Sequence, residues 1–158
     1  MSTVVSDVRR ISESFWRKNA AMQVYIANDR ENNNKPKVIF KFMKSDGQGK
    51  YNESKDYFSM PTDELFKFIL LVENYARNKN AKDVVLVHKT KDTKTLTFRR
   101  TDKGDFMLVL NKYDELNNKV AYYISFNTVD LKYFVYTLRK MLYFMETGSM
   151  VGFHMDWF

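Results

Sequence analysis

Apolar residues recur at every second position in two stretches of the first half of the chain, 22–26 and 37–43. This is the period of a β-strand that buries one face. The turn sequence Asp-Gly-Gln-Gly at 46–49 separates the second stretch from a weaker alternation over 50–59. The pattern therefore predicts three strands, of which the second carries lysine on its polar face.

The segment 62–80 has the spacing of an amphipathic helix instead. Thr62 is its predicted N-cap, and the acids Asp63 and Glu64 suit the positive end of the helix dipole. The predicted buried stripe consists of Leu65, Phe68, Ile69, Val72 and Ala76.

The second half of the chain repeats this order of elements. Alternation predicts strands over 84–89, 94–101, 106–110 and 120–126. A last helix follows, capped by Asn127 or Thr128. Its predicted stripe consists of Leu131, Phe134, Val135, Leu138, Met141, Leu142 and Met145.

The whole chain, 1–158, is thus predicted to be one α+β domain of antiparallel meander sheets, each followed by an amphipathic helix. One pseudo-repeat covers 20–79 with three or four strands, and the other covers 82–147 with four; 148–158 is a C-terminal tail. The segment 2–19 is predicted either as a short helix capped by Ser6 or as an arm.

Composition narrows the class of protein. Hydrophobic residues make up 44% of the sequence, which is too large a share for a disordered chain. No apolar run approaches the roughly 20 residues that span a bilayer. We therefore expect a soluble, cytoplasmic protein that makes no membrane contact.

Positive charge is concentrated in the predicted strands. The net charge is +7, of which 35–61 carry +3 and 82–103 carry +4, whereas the two helical segments are neutral. A basic surface attracts phosphate backbones, although charge alone fits a solvated surface equally well. The richness in lysine, asparagine and tyrosine is typical of AT-rich phage genomes, so a phage source is a further expectation.

The sequence offers little catalytic chemistry. Without cysteine there is no disulfide, thiolate nucleophile or cysteine-ligated metal. His88 and His154 lie far apart in sequence, and 46–50 lacks both the phosphate-loop pattern and the acidic ligands of a calcium loop. We expect a protein that is not an enzyme and that uses no metal and no cofactor.

Basic and aromatic residues share the predicted polar faces of the strands. Proteins bind unpaired nucleic acid with cations that attract phosphates and with flat rings on which bases stack. Each tyrosine taken alone also fits a partly buried residue with its hydroxyl at the surface. The predicted nucleic-acid contacts are Tyr25, Lys37, Lys41, Lys94, Arg99, Arg100 and Tyr123.

The two helix openings share the pattern Leu-x-x-Phe-x-x-x-(Val/Leu), at 65–72 and 131–138, each just after an acid. A strand meander followed by such a helix, twice over, resembles the Whirly and transcriptional positive cofactor four group of single-stranded DNA-binding proteins. The resemblance covers 20–79 and 82–147. It implies units of four strands and a helix whose paired sheets present basic and aromatic residues to unpaired DNA. The resemblance implies that four residues are candidate DNA contacts: Lys37, Lys41, Arg99 and Tyr123.

The C-terminal end is aromatic and finishes on Phe158. It is similar to the tip of bacterial single-strand-binding proteins, which recruits partner enzymes. The resemblance implies that Asp156, Trp157 and Phe158 contact replication or recombination proteins; occupation of the DNA groove by this tail is a second hypothesis. The alternative is a tail that packs on the domain or at a homodimer seam.

Other functions remain open from the sequence. RNA binding by the same faces is the nearest alternative, because only a contact to the 2′-hydroxyl separates RNA from DNA. A protein-interaction or assembly module predicts a dry apolar patch in place of aromatics alternating with lysine. An enzyme without a recognisable motif would need a pocket with perturbed carboxylates.

Overall fold

The computed structural model describes residues 12–52 and 56–148. In this part of the chain, two antiparallel sheets are each followed by a helix, which confirms the predicted α+β pseudo-repeat. The first unit consists of β1 (Ser12–Trp16), β2 (Ala20–Asp29), β3 (Lys35–Ser45), β4 (Tyr51–Asn52), β5 (Tyr57–Pro61) and α1 (Thr62–Arg77). The second consists of β6 (Val84–Lys89), β7 (Thr93–Arg100), β8 (Phe106–Tyr113), β9 (Lys119–Phe126) and α2 (Thr128–Thr147).

Strand pairing follows the chain order. In the N-terminal sheet β1 pairs with β2 and β2 with β3, while β4 and β5 pair with successive parts of the other side of β3. The C-terminal sheet is the meander β6–β7–β8–β9. Neither helix in the described residues is long and apolar enough to cross a membrane.

The start of the described chain corrects the prediction of a helix or an arm where that prediction covers residues 12–19. Residues 12–16 form β1, which pairs with β2 and adds an edge strand to the sheet of the first unit. The strand forms because its pairing with β2 buries Phe15, whose ring meets Phe126 and Phe134 edge-on at 5.6 and 5.5 Å between centroids. Ser6 lies outside the described residues.

The helix ends also refine the predictions. Pro61, not Thr62, is the N-cap of α1, and its ring supplies no capping hydrogen bond. Asn127 caps α2 as one of the two predicted alternatives, since its side chain accepts from the Asp130 amide at 2.7 Å. Gly148 closes α2 in the left-handed region with φ 73°, a conformation that glycine adopts without a steric penalty.

A single aromatic core joins the sheets and the helices. Phe134 of α2 lies at its centre, stacked on Phe126 at 4.9 Å between centroids and edge-on to Phe40 at 6.3 Å. Because such rings bury large apolar areas and prefer these geometries, the core fixes the two sheets against each other. Each sheet turns one face, its inner face, towards this core. The other face, called the outer face, carries no helix among the described elements.

One charged residue lies inside the helix layer. Glu73 of α1 is 3% exposed, and its Oε1 accepts from Arg139 Nε of α2 at 2.7 Å. Arg77 Nη2 approaches the other carboxylate oxygen at 3.6 Å. A buried carboxylate needs such partners because it has lost its hydration. The pair therefore ties the two helices together.

Candidate nucleic-acid interface

The outer face of the N-terminal sheet combines lysine with tyrosine. Lys41 of β3 lies directly opposite Tyr57 of β5, and Lys37 lies four residues earlier on the same face. Tyr25 of β2 shares this face. Partial burial raises its pKa above the usual 10.0, and the nearby Tyr57 raises it further. The structure thus brings together the predicted residues Tyr25, Lys37 and Lys41. Lys37 Nζ also lies 3.9 Å from Asp29 Oδ2.

Lys94 reaches the same face from the other sheet. Its Nζ donates to the Tyr57 carbonyl at 2.8 Å and lies 4.2 Å from the centroid of the Tyr57 ring. Burial lowers the pKa of Lys94 below the usual 10.5, and neighbouring Lys112 lowers it further. The sequence placed Lys94 beside Arg99, but the alternation of β7 sends these side chains to opposite faces.

Tyr123 and Arg99 lie on the outer face of the C-terminal sheet. Tyr123 is 49% exposed on the edge strand β9 and pairs with Val109 of β8. The next cross-strand row on this face consists of Arg99 of β7, Met107 of β8 and Ser125 of β9. The two predicted contacts therefore belong to neighbouring rows of one face.

Arg100 is the predicted residue that the structure places elsewhere. It points to the inner face, where its guanidinium lies 4.6 Å from the Tyr75 ring centroid and 5.7 Å from that of Phe106. Its Nη2 donates to the Tyr75 carbonyl at 2.6 Å, and Nη1 donates to the Asn78 carbonyl at 3.4 Å. These are carbonyls at the C-terminal end of α1, where a cation is stabilising. Arg100 therefore has a structural place at the end of this helix.

A cleft of about 490 Å³ lies where the turn between β1 and β2 meets β9. Lys18, Lys44 and Tyr123 are among its lining residues. Arg17 holds the turn in place, since its Nε donates to the Ser125 carbonyl at 2.7 Å and its Nη2 lies 3.4 Å from Asp130 Oδ2. The volume is within the range of about 300–1,000 Å³ that is usual for ligand pockets.

Several aromatic and basic residues of this region were not identified from the sequence. Trp16 is 55% exposed on the outer side of β1, edge-on to Tyr51 at 4.8 Å between centroids. Tyr51 is itself held by its hydroxyl, which donates to the Arg17 carbonyl at 2.6 Å. Tyr57, Lys18 and Lys44 were missed as well. The alternation of β1 would have indicated Trp16, but five residues are too few for a reliable period.

A polar network connects the strands that carry these tyrosines. Buried Asp56, just before β5, accepts from Lys112 Nζ at 2.6 Å and from the hydroxyl of Tyr122 in β9. Burial alone would raise the pKa of Asp56, but the hydrogen bonds from Lys112 and Tyr122 outweigh it and leave the pKa below the usual 3.8. Asp56 is therefore ionised at neutral pH and joins the two sheets.

His88 is part of the packing between sheets. Its ring stacks on Phe58 at 4.0 Å, and Nε2 lies 2.8 and 2.9 Å from the two carboxylate oxygens of Glu64. Among residues 12–52 and 56–148, no group of three or more histidines and acids is placed to hold a metal. His154 and the predicted partner-binding residues Asp156, Trp157 and Phe158 lie outside the described residues.

No protein-family model matches the sequence, and no curated protein matches it. Solved structures match over most of its length. WHY3 from Arabidopsis thaliana shares 14% identity over 87% of this chain and 89% of its own, with a TM-score of 0.67. WHY1 from the same plant shares 15% identity over 87% and 92%, with a TM-score of 0.66. The plant transcriptional regulator PBF-2 shares 14% identity over 86% and 90%, with a TM-score of 0.66. The chain therefore has a Whirly-like fold, as the sequence pattern predicted.

Proposed function

We propose that this protein binds single-stranded DNA, with little sequence preference, through the outer faces of its two sheets and the cleft between them. The observation that carries the proposal is the pairing of exposed rings with cations on faces that no described helix covers. Tyr57 lies beneath Lys94 and opposite Lys41, and Tyr123 shares its face with Arg99. Rings of this kind stack on any base, because every base has a π-face.

The cations on these faces would attract phosphates without reading sequence. Lys94 Nζ lies over the Tyr57 ring and Lys41 is the cross-strand neighbour of Tyr57, so a base stacked at this ring would have its phosphates near positive charge. Lys18 and Lys44 line the cleft that leads to Tyr123. A DNA strand that follows this route would remain close to a cation on both sheets. Its bases must be unpaired, because the rings contact base faces that a duplex keeps stacked.

The Whirly-like fold is consistent with this proposal, since the resemblance noted from the sequence implies binding of unpaired DNA by paired sheets. Processes that handle single strands, namely replication, recombination and transcription, are the proposed context. The protein acts in this proposal by binding and not by catalysis. RNA remains the nearest alternative ligand, because stacking and phosphate contacts are common to both nucleic acids.

Fluorescence anisotropy tests the proposal with labelled single-stranded DNA, duplex DNA and single-stranded RNA of one sequence. We expect the single strands to bind more tightly than the duplex. If a strand contacts four cations, its affinity should fall roughly 50-fold between 50 and 200 mM salt, from a slope of about −0.7 per phosphate contact. Equal affinity for single strand and duplex would contradict stacking on the outer faces. Absence of binding at 50 mM salt would reject the proposed function.

A further inference from the structure

The buried carboxylate of Asp56 lies directly behind the two most exposed tyrosines of the outer faces. Asp56 immediately precedes Tyr57, and its hydrogen-bond partner Tyr122 immediately precedes Tyr123. Asp56 continues the pairing of β5 with β3, since its carbonyl accepts from the Phe42 amide at 3.0 Å. Because successive residues of extended backbone point to opposite faces, the bond between Asp56 and Tyr122 on the inner side anchors the backbone that carries both outward tyrosines. The two strands concerned, β5 and β9, belong to different sheets.

The same carboxylate organises the neighbouring cations. Lys112 Nζ donates to Asp56 Oδ1 at 2.6 Å, which anchors β8 as well. Lys94 interacts electrostatically with both Asp56 and Lys112. Its Nζ contacts the Tyr57 carbonyl and ring. One buried acid therefore joins the start of β5 to β8 and β9, whereas Lys94 is held on the Tyr57 ring by its own bond to the Tyr57 carbonyl.

We propose that Asp56 is a positioning residue, which sets the N-terminal outer face at the distance and angle to Tyr123 that a strand spanning both sheets requires. This inference rests on the proposed function. A preformed site binds more tightly than one that must be ordered on binding, because the ordering cost has already been met in folding. Loss of the carboxylate should therefore weaken binding across the two sheets and leave each face intact.

Strand length separates these two kinds of binding. Site sizes of about 4 to 16 nucleotides per OB fold are known, depending on the protein. We choose oligothymidylates at the two ends of this range as the probes of one face and of both. For Asp56→Asn we expect the affinity for the long strand to fall about tenfold, equivalent to ~1.4 kcal/mol. The affinity for the short strand should stay within about twofold. Isothermal titration calorimetry measures both.

Two further variants make the test specific. Asp102→Asn removes the same charge from an exposed turn and should change neither affinity. Tyr122→Phe removes only the hydroxyl that donates to Asp56, should fold even if Asp56→Asn does not, and should show the same loss for long strands alone. Equal losses for both lengths, or no loss for either, would overturn the positioning role. If the unmodified protein binds neither length, the proposed function itself fails, and the positioning role fails with it.

Discussion

Replacing Tyr57 and Tyr123 together with alanine is expected to lower the affinity for single-stranded DNA about a hundredfold. Both rings are exposed; Lys94 lies over Tyr57, and Tyr123 lines the cleft together with Lys18 and Lys44. Exposed rings near cations are the arrangement of a stacking platform. Stacking of one base on one ring contributes about 1–3 kcal/mol. The two sites lie on different sheets, so their contributions should add. Fluorescence anisotropy at constant salt measures the loss.

Two controls show whether the loss comes from the rings on the outer faces. Tyr133 of α2 is 44% exposed, the same fraction as Tyr57, and lies off both sheets. Tyr133→Ala should therefore leave the affinity within about twofold, since a base cannot stack there in the proposed route. Tyr57→Phe keeps the ring and should bind almost normally. A stronger effect of Tyr133→Ala than of Tyr57→Ala would place the interface on the helices.

Arg139→Met is expected to lower the free energy of unfolding by about 2–3 kcal/mol. The substitution leaves Glu73 buried between the helices without its closest partner. Breaking a buried ion pair costs about 3–5 kcal/mol when nothing replaces the lost charge, and the remaining Arg77 at 3.6 Å should offset part of this. Urea denaturation measures the change.

The matched control is Arg77→Met, which removes the more exposed of the two cations. Exposed ion pairs are worth about 0–1 kcal/mol, so this change should be small. If Arg139→Met costs no more than Arg77→Met, the pair between Glu73 and Arg139 does not hold the helix layer together. Both variants should retain their nucleic-acid affinity, because neither residue lies on an outer face.

The sequence was sufficient for the elements with a sustained period. These elements repeat an apolar position several times, so burial of one face determines them. They are the strands around Val24 and Phe40 and the helix stripes around Phe68 and Phe134. The same alternation placed Lys41 on an outer face. Strand β1 was missed because its few residues are defined by pairing with β2 and not by their own pattern.

The parts of the site that depend on distant contacts were not predictable. The pattern grouped Lys94 and Arg100 with Arg99, whereas tertiary contacts give them different places. Lys94 reaches Tyr57, and Arg100 binds the end of α1. The cleft depends on the bond between Arg17 and Ser125, which are 108 residues apart in sequence. No local pattern specifies such a contact.

Photocrosslinking to bromodeoxyuridine-substituted single-stranded DNA, followed by mass spectrometry of the peptides, tests most directly whether the outer faces bind the strand. Aromatic residues next to a base form the crosslinks. We predict crosslinks at Tyr57 and Tyr123, with exposed Trp16, which precedes the cleft-lining residue Arg17, as a third site. Crosslinks confined to the α2 tyrosines Tyr133 and Tyr136 would contradict the proposed interface.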